Sequence, residues 1–176
     1  MKIYLASSWR NEYYYNLLDF IKKEKHEVYD FRKPHGEAGF SWSSVDKNWR
    51  EWSIEEYIKG LNHPSAQAGF NKDFEAMKWA DACILLLPCG RSAHSEAGWM
   101  AGAGKPVIVY AIDDFEAELM YKLYGPIAQN GLELKSYLDK INLPKGEVFT
   151  DPNCIWKYCP NPDICKGKIC INPTNI

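Results

Sequence analysis

Two carboxylates on either side of a buried apolar segment are the residues of this sequence best suited to chemistry. Asp73 falls within the apolar stripe of a helix predicted over residues 65–80, and Glu96 lies near the start of another helix. A carboxylate on a core-facing surface is costly unless it is paired, hydrogen-bonded or placed at a wet cleft. The pattern therefore indicates a catalytic acid at Asp73 or, equally, a structural carboxylate satisfied by a backbone amide or an arginine.

Glu96 has a more specific setting than Asp73. The segment Cys89–Ser92 is a predicted turn, and Ser92 is the predicted N-cap of the helix that follows. The positive end of a helix keeps a nearby carboxylate ionised, as a nucleophile requires. Acids are also common at helix starts for dipole complementarity alone. The small residues of this helix, and the shared spacing of Glu96 with Trp99 and Met100, instead favour a functional glutamate on the packed side.

The order of predicted elements supplies a scaffold for these acids. Strands are predicted over residues 2–6, 27–29, 82–87, 107–110 and 127–129, and helices over 11–23, 53–61, 65–80, 92–103, 116–124 and 132–141. Such alternation implies right-handed crossovers and a parallel sheet covered on both faces. We therefore predict a Rossmann-like α/β fold, whose ligand site lies at the carboxyl ends of the strands.

Polar residues that follow the predicted strands would line this edge of the sheet. Ser8 and Arg10 come just after the first strand, and Arg91 and Ser92 lie between the third strand and the Glu96 helix. Hydroxyl and guanidinium groups beside helix N-termini suit a phosphate or a sugar hydroxyl. We therefore expect these four residues to contact the substrate, although serine at such a position also caps helices.

A long aromatic segment, residues 36–52, and the end of the second strand offer further candidates. Loops of this length inside compact domains are often lids or binding loops. Trp42, which is flanked by serines, is the candidate for stacking on a planar base; a small satellite core under the loop is the alternative. Asp30 could bind a ribose hydroxyl or a base edge, or pair with Arg32.

Length and composition restrict the class of protein. A chain of 176 residues with 46% hydrophobic residues can bury one sizeable core, so we predict one domain over residues 1–150 and a short tail over 151–176. The net charge of -2 gives no electrostatic reason to bind nucleic acid or an anionic membrane surface. No apolar stretch has the length that spans a bilayer, and the first residues read as a strand rather than a signal segment, so a cytoplasmic protein is predicted.

Several of these motifs together resemble the nucleoside 2-deoxyribosyltransferase-like superfamily, which includes nucleoside 5'-monophosphate N-glycosidases. They are the segment 2–10, Asp73 with its spacing to Ala80 and Asp81, the segment 92–98 and the segment 104–107. The resemblance covers about residues 1–141 and implies a flavodoxin-like parallel sheet of five strands. It also implies cleavage or transfer at the N-glycosidic bond of a small nucleoside or nucleotide, and a homo-oligomer. No cofactor is expected for catalysis.

The resemblance assigns roles to matching residues. Glu96 resembles the nucleophile that forms a covalent glycosyl-enzyme, and Asp73 the acid that protonates the departing base or orients the sugar. Ser8, Arg10 and Ser92 match the neighbourhood where the nucleotide-hydrolysing branch holds a 5'-phosphate. Asp81, at the start of a strand, is at the wrong edge of the sheet and is assigned a structural role.

One departure from the family pattern bears on the substrate. Base-exchanging transferases carry an acid shortly before the nucleophile, where this chain has the segment 88–91 with Arg91. This difference favours a phosphorylated or otherwise anionic substrate near Arg91. His94 could assist a proton transfer or bind phosphate, although a histidine at a helix start more commonly bonds to backbone. Two other functions stay open, a non-catalytic nucleotide sensor and cleavage of a dinucleotide such as NAD.

The tail contains four cysteines with regular spacing. They are Cys154, Cys159, Cys165 and Cys170. Four cysteines in a short polar tail of a cytoplasmic protein favour zinc over disulfides. The spacing argues against zinc, because paired zinc cysteines are usually two to four residues apart and the middle gap here is short. Zinc binding is predicted for the tail, with free thiols as the alternative.

Overall fold

A five-stranded parallel sheet forms the centre of the computed structural model, which describes residues 1–142. The strands are β1 (Lys2–Ala6), β2 (Glu27–Tyr29), β3 (Ala82–Leu86), β4 (Val107–Tyr110) and β5 (Ile127–Ala128), in the order β2-β1-β3-β4-β5. Every residue of β3 and β4 is buried, as expected for strands covered on both faces. The order is that of flavodoxin-like sheets, so the predicted fold class is confirmed.

Five α-helices accompany the sheet in the described part of the chain. They are α1 (Tyr14–Lys23), α2 (Ile54–Leu61), α3 (Pro64–Trp79), α4 (Arg91–Gly102) and α5 (Gly131–Ile141). Helix α4 packs against β1, β3 and β4, and α5 packs against β4 and β5. Helix α1 buries its predicted stripe of Tyr14, Leu17, Leu18 and Ile21. Gly104 follows α4 with φ of 75°, which explains why the helix ends at a glycine.

The predicted bounds are wrong at two helices. Helix α1 begins at Tyr14 rather than at residue 11, because the Asn11 side chain accepts a hydrogen bond from the backbone N–H of Tyr13 and forms a turn instead. The helix predicted over residues 116–124 is a shorter 3-10 helix, Leu119–Leu123. It ends just before Gly125–Pro126, because the residue before a proline is disfavoured in helical conformation.

The backbone contacts divide the chain into two compact units. One contains Met1–Val28 and the described residues from Ala80 onward, and the other is Tyr29–Trp79. Within the second unit, a capping box of Ser53 and Glu56 begins α2, as the Ser-x-x-Glu pattern of the sequence indicates. The aromatic segment before it forms three short 3-10 helices, Pro34–Gly36, Trp42–Ser44 and Trp49–Glu51.

One predicted core residue of α3 is not in the core. Ala66 and Met77 are buried as expected, but Phe70 is 60% exposed. Its ring stacks on that of Phe74 one turn later, with centroids 5.4 Å apart, so the two aromatics cover each other. Among the described residues, no helix combines the length and the apolar character needed to cross a membrane.

Candidate functional site

The strand order reverses between β1 and β3, which makes the carboxyl edge of these two strands the candidate site. β1 continues towards β2 on one side of it, and β3 continues towards β4 on the other. Open α/β sheets bind ligands in the crevice at such a switch point. Ser8 and Arg10 lie in the loop that follows β1, and Arg91 opens α4 after β3. The structure thus brings these predicted substrate contacts to one edge of the sheet.

Glu96 lies in the second turn of α4 and is half-buried. Ala93 and Ala97, on either side of it in sequence, are buried, because small side chains let α4 approach the sheet closely. Met100 is buried as predicted, whereas Trp99 is 37% exposed. Glu96 therefore lies beside the packed side of α4, at the depth where a carboxylate is partly shielded from water.

The negative charge of Glu96 affects the pKa values of two nearby thiols, those of Cys89 and Cys83. Burial, reinforced by the negative charge of Glu96, raises the pKa of Cys89 to about 12. The same two causes, in the same order, raise the pKa of Cys83, which is fully buried in β3. Both thiols are therefore protonated at neutral pH, and the charge of Glu96 acts on β3 and on the loop that follows it.

The start of α4 differs from the prediction for Ser92. The helix begins at Arg91, with Gly90 as an N-cap that has no side chain, so Ser92 is the second helical residue and not the cap. The turn after β3 begins and ends one residue earlier than predicted, and Gly90 takes the extended conformation directly before the helix. Glu96 is consequently farther into the helix than a first-turn residue, and the helix dipole contributes less to its charge state than the sequence suggested.

His94 is fixed by hydrogen bonds at both ring nitrogens. Its Nδ1 lies 2.9 Å from the carbonyl oxygen of Gly90, which can only accept, so Nδ1 carries the proton. Its Nε2 lies 2.9 Å from the hydroxyl of Tyr121, on which the imidazole also stacks. Burial raises the pKa of Tyr121 to about 12, so this hydroxyl is protonated and donates to Nε2. The backbone bond is the commoner role that the sequence left open for this histidine.

Sequence reasoning missed Asn11 and Ser7 as links between the loops of the site. The Asn11 amide donates to the carbonyl oxygen of Pro88 at 3.0 Å, and the Ser7 hydroxyl donates to that of Leu86 at 3.1 Å. Both partners lie far away along the chain, so no local pattern reveals these bonds. The signal in the sequence for the Asn11 bond was an asparagine near the start of α1, and an asparagine at such a position is equally expected as a helix cap.

Asp73 lies half-buried in α3, within the Tyr29–Trp79 unit. It accepts a hydrogen bond from the hydroxyl of Tyr29 at 2.9 Å. Burial raises the pKa of the Asp73 carboxyl, and the Tyr29 bond opposes this shift only in part. The environment therefore favours the protonated form more than water does, which is the requirement for a proton donor.

Asp30 and Trp42 belong to the same unit as Asp73. Asp30 accepts a hydrogen bond from the backbone N–H of Arg32 at 3.0 Å. The Trp42 ring makes edge contacts with Phe40, Trp52 and Tyr57, which is the arrangement of the satellite-core alternative. A Cβ atom at Gly60 would lie 2.5 Å from the Trp52 ring, so this aromatic cluster requires a glycine on α2. The substrate contacts of Asp30 and Trp42 stay predictions.

Asp81 and the tail cysteines fall outside the candidate site for different reasons. Asp81 accepts a hydrogen bond from the backbone N–H of Lys2 at 2.8 Å, at the amino edge of β1 and β3, in line with its structural assignment. The four predicted zinc ligands lie outside the described residues. Within residues 1–142, no group of three or more histidine, cysteine or acidic side chains is arranged to hold a metal ion.

The fold and the strand order define the class of protein, which has a flavodoxin-like α/β fold. A solved 2-deoxyribosyltransferase from the psychrotolerant bacterium Bacillus psychrosaccharolyticus is similar at 21% identity and a TM-score of 0.53, covering 78% of this chain and 92% of that one. A conserved protein from Enterococcus faecalis V583 is similar at 18% identity and a TM-score of 0.50, covering 80% and 98%.

A third solved structure, the CMP N-glycosidase BcmB of Clostridium botulinum, aligns at 20% identity and a TM-score of 0.45, covering 79% of this chain and 99% of that one. No protein-family model matches the chain, and no curated protein matches it in sequence. Identities of this size establish the fold. The resemblance drawn from the sequence is therefore confirmed at the level of the fold.

Proposed function

We propose that this chain is an enzyme that cleaves or transfers at the N-glycosidic bond of a nucleoside or nucleoside 5'-monophosphate, with Glu96 as the nucleophile. The observation that carries this proposal is the half-buried position of Glu96 on α4, after β3 and next to the switch point of the sheet. The shared fold with a 2-deoxyribosyltransferase supports the reaction class. Nucleoside chemistry at this edge also agrees with the general place of ligands in such sheets.

The chemistry of the bond explains why a carboxylate is needed. As the bond between C1' and the base nitrogen breaks, its electron pair leaves with the base and positive charge develops on C1' and the ring oxygen. The Glu96 carboxylate stabilises this charge and forms a C–O bond to C1'. Water, or a second base, then attacks C1' and releases Glu96 as a carboxylate. Hydrolysis and transfer therefore use the same nucleophile and differ in the second acceptor.

Asp73 is the proposed proton donor to the departing base. Its carboxyl has a raised pKa because it is buried, so it holds a proton at a higher pH than an exposed aspartate. The Tyr29 hydroxyl bonds to one of its oxygens and limits the rotation of the carboxyl group. These features support the acid role that the resemblance implies, since a general acid must be protonated when the base leaves.

An anionic group of the substrate is proposed to lie against the start of α4. Arg91 and Ser92 are the first two residues of this helix, and both side chains are exposed. Ser8 and Arg10 contribute from the loop after β1, on the neighbouring strand. The N–H groups at a helix start and two guanidinium groups suit a 5'-phosphate. Because His94 is bonded through both nitrogens, we assign it to holding the loop rather than to proton transfer.

Further features of the protein are proposed alongside the catalytic residues. The resemblance supports a homo-oligomer, and a cytoplasmic location is proposed with it. The spacing of Cys154, Cys159, Cys165 and Cys170 supports a zinc ion in the tail. Asp30 and Trp42 are proposed to contact the sugar or the base.

The test is base release by the full chain. The protein is incubated with a panel of nucleosides, nucleoside 5'-monophosphates and NAD, and free base is measured by chromatography. Glu96→Gln is expected to lower kcat on the order of 10⁴-fold, because it removes the nucleophile and keeps the size of the side chain. The control is Glu75→Gln, which changes a surface glutamate that pairs with Lys78 three residues later.

Two results would contradict the proposal. Base release by Glu96→Gln at the rate of the unsubstituted protein would remove Glu96 as the nucleophile. Tight nucleotide binding with no base released from any substrate would instead identify a nucleotide sensor. Release of nicotinamide from NAD alone would move the substrate class to dinucleotides and keep the role of Glu96.

A further inference from the structure

We propose that Asn11 is a positioning residue for Glu96, because it ties the loop after β1 to the loop after β3. The first loop carries Ser8 and Arg10, and the second leads into α4 and Glu96. The inference rests on the proposed function, since it concerns the distance between the anion-binding loop and the nucleophile. Asn11 itself is not expected to touch the substrate.

The bonds of Asn11 use both ends of its amide. The Nδ2 group donates to the carbonyl oxygen of Pro88 at 3.0 Å, and Oδ1 accepts from the backbone N–H of Tyr13 at 2.9 Å. A backbone carbonyl can only accept and a backbone N–H can only donate, so the orientation of the amide is fixed by its partners. Asn11 is only 5% exposed, and a buried amide that loses its partners is costly. The side chain is therefore held in one place.

The connection continues from Pro88 to the nucleophile through a short stretch of chain. Pro88 is two residues before Gly90, which is the N-cap of α4. Ser7 adds a second bond in the same direction, from its hydroxyl to the carbonyl oxygen of Leu86. A shift of the Pro88 carbonyl would therefore move the start of the helix that carries Glu96.

The same loop is held from its other side by His94. The imidazole donates to the carbonyl oxygen of Gly90, and it is itself held by Tyr121. Side chains thus bond to the carbonyl oxygen of Leu86 at the end of β3 and to those of Pro88 and Gly90 in the loop before α4. Loss of the Asn11 bond would free the middle of the loop. Misplacement of a reacting group by about 1 Å can cost about 10²-fold in rate, so Asn11 can matter without contacting the substrate.

Asp81 provides a matched control at the opposite edge of the same strands. Its carboxylate accepts from the backbone N–H of Lys2 at 2.8 Å and thereby ties the chain before β3 to the start of β1. Asn11 and Asp81 each link the two chain segments through a side-chain bond to backbone, one at each end of the strand pair. Only the Asn11 bond lies on the path to Glu96, so the two variants separate positioning from stability.

The experiment compares Asn11→Ala, Asn11→Asp and Asp81→Ala in the full chain. Asn11→Asp keeps the acceptor for Tyr13 but loses the donor for Pro88, so it tests the bond between the loops if the alanine variant does not fold. We expect Tm to fall by about 2–4 °C in both alanine variants. We expect kcat for base release to fall about 10- to 100-fold only in the Asn11 variants, with KM changed less than kcat.

Amide hydrogen exchange makes the result independent of activity. Exchange over residues 89–93 is expected to be faster in both Asn11 variants than in Asp81→Ala. Equal exchange over these residues in all three variants, or an unchanged kcat in folded Asn11→Asp, would overturn the positioning role. If the unsubstituted protein releases no base at all, the proposed function fails, and the role of Asn11 in holding the loop is then decided by hydrogen exchange alone.

Discussion

The two edges of the β1–β3 strand pair use the same kind of bond for different purposes. At the amino edge, Asp81 accepts from the backbone of Lys2, and Lys105 donates to the carbonyl oxygen of Ala80 at 2.5 Å. At the carboxyl edge, Ser7 donates to the carbonyl oxygen of Leu86, the last residue of β3, and Asn11 donates to that of Pro88 in the loop after it. The amino-edge bonds end beside the starts of strands, whereas the carboxyl-edge bonds end at the last residue of β3 and in the loop that leads to α4 and Glu96. The role of a hydrogen bond from a side chain to the backbone thus depends on which residues lie in the backbone segment that it holds.

The largest effect is expected at the two aspartates that the sequence separated into structural and catalytic. Asp73→Asn should lower kcat about 10²- to 10⁴-fold, because it removes the proposed general acid. The same change should raise Tm at pH 8, since burial raises the pKa of Asp73 and its ionised form is therefore disfavoured in the folded protein. Asp81→Asn, at the amino edge, should lower Tm and leave kcat unchanged. Base-release assays measure kcat and thermal unfolding measures Tm for the two variants.

The pH dependence of the Asp73 effect has a defined sign. A carboxyl whose folded pKa is raised binds more protons in the folded state, so its contribution to stability is present below the ordinary aspartate pKa of about 4 and is lost as pH rises through the folded pKa. The difference in Tm between Asp73→Asn and the unsubstituted protein should therefore vanish near pH 3 and grow towards pH 8. A difference that is constant with pH would contradict the role of burial at this residue.

Arg91 at the carboxyl edge and Lys105 at the amino edge allow the same comparison for positively charged side chains. Arg91→Met should raise KM for nucleoside 5'-monophosphates about 10- to 100-fold, because it removes a charge-assisted bond to the proposed phosphate. The KM for nucleosides should change little. Lys105→Met is the matched change at the amino edge, where the ammonium group donates to the Ala80 carbonyl, and it should affect Tm alone. An equal rise of KM for both substrate types in Arg91→Met would argue against a phosphate site there.

A smaller effect is expected from Tyr121, which holds His94 at the carboxyl edge. Tyr121→Phe removes the hydroxyl that bonds to Nε2 of His94 and keeps a ring that can stack on the imidazole. Loss of one neutral hydrogen bond corresponds to about 1 kcal/mol, so we expect kcat to fall about 5-fold. Tyr137→Phe on α5 serves as the control tyrosine. A decrease beyond about 10³-fold would indicate that Tyr121 acts directly in the chemistry.

The tail should behave independently of both edges. Metal analysis of protein purified without chelator is expected to find about one zinc ion per chain, bound by the four tail cysteines. Removal of the metal by EDTA should leave base release unchanged, because the proposed mechanism uses no metal. Substitution of Cys154 and Cys159 by serine should abolish the zinc content, whereas Cys83→Ser is the control in the sheet. Absence of zinc from the purified protein would leave free thiols as the state of the tail.

The sequence predicted the scaffold well, for a physical reason. Continuous apolar runs such as Ala82–Leu86 and Val107–Tyr110 are strands buried on both faces, and their pattern is local. The capping box of Ser53 and Glu56 is local as well. The position of Glu96 on α4 followed from these elements, whereas its role as nucleophile came from the resemblance.

The features that the sequence did not predict depend on distant or absent side chains. Gly90 caps α4 through its extended backbone, so a search for a polar cap selected Ser92 instead. The bond between Asn11 and Pro88 joins residues that are 77 positions apart, and no periodicity reports it. The exposure of Phe70 depends on its contact with Phe74 rather than on its place in an apolar stripe.

The chain that leaves β3 has a side-chain donor on every second carbonyl, from Ser7 to Leu86, from Asn11 to Pro88 and from His94 to Gly90. The first two donors come from the segment after β1, which pairs with β3, whereas His94 comes from α4 itself. Each of these donors can be exchanged alone without breaking a bond between strands. Single substitutions could therefore redirect the glutamate of this scaffold during evolution while the sheet stays intact, which gives one fold a route to new substrates.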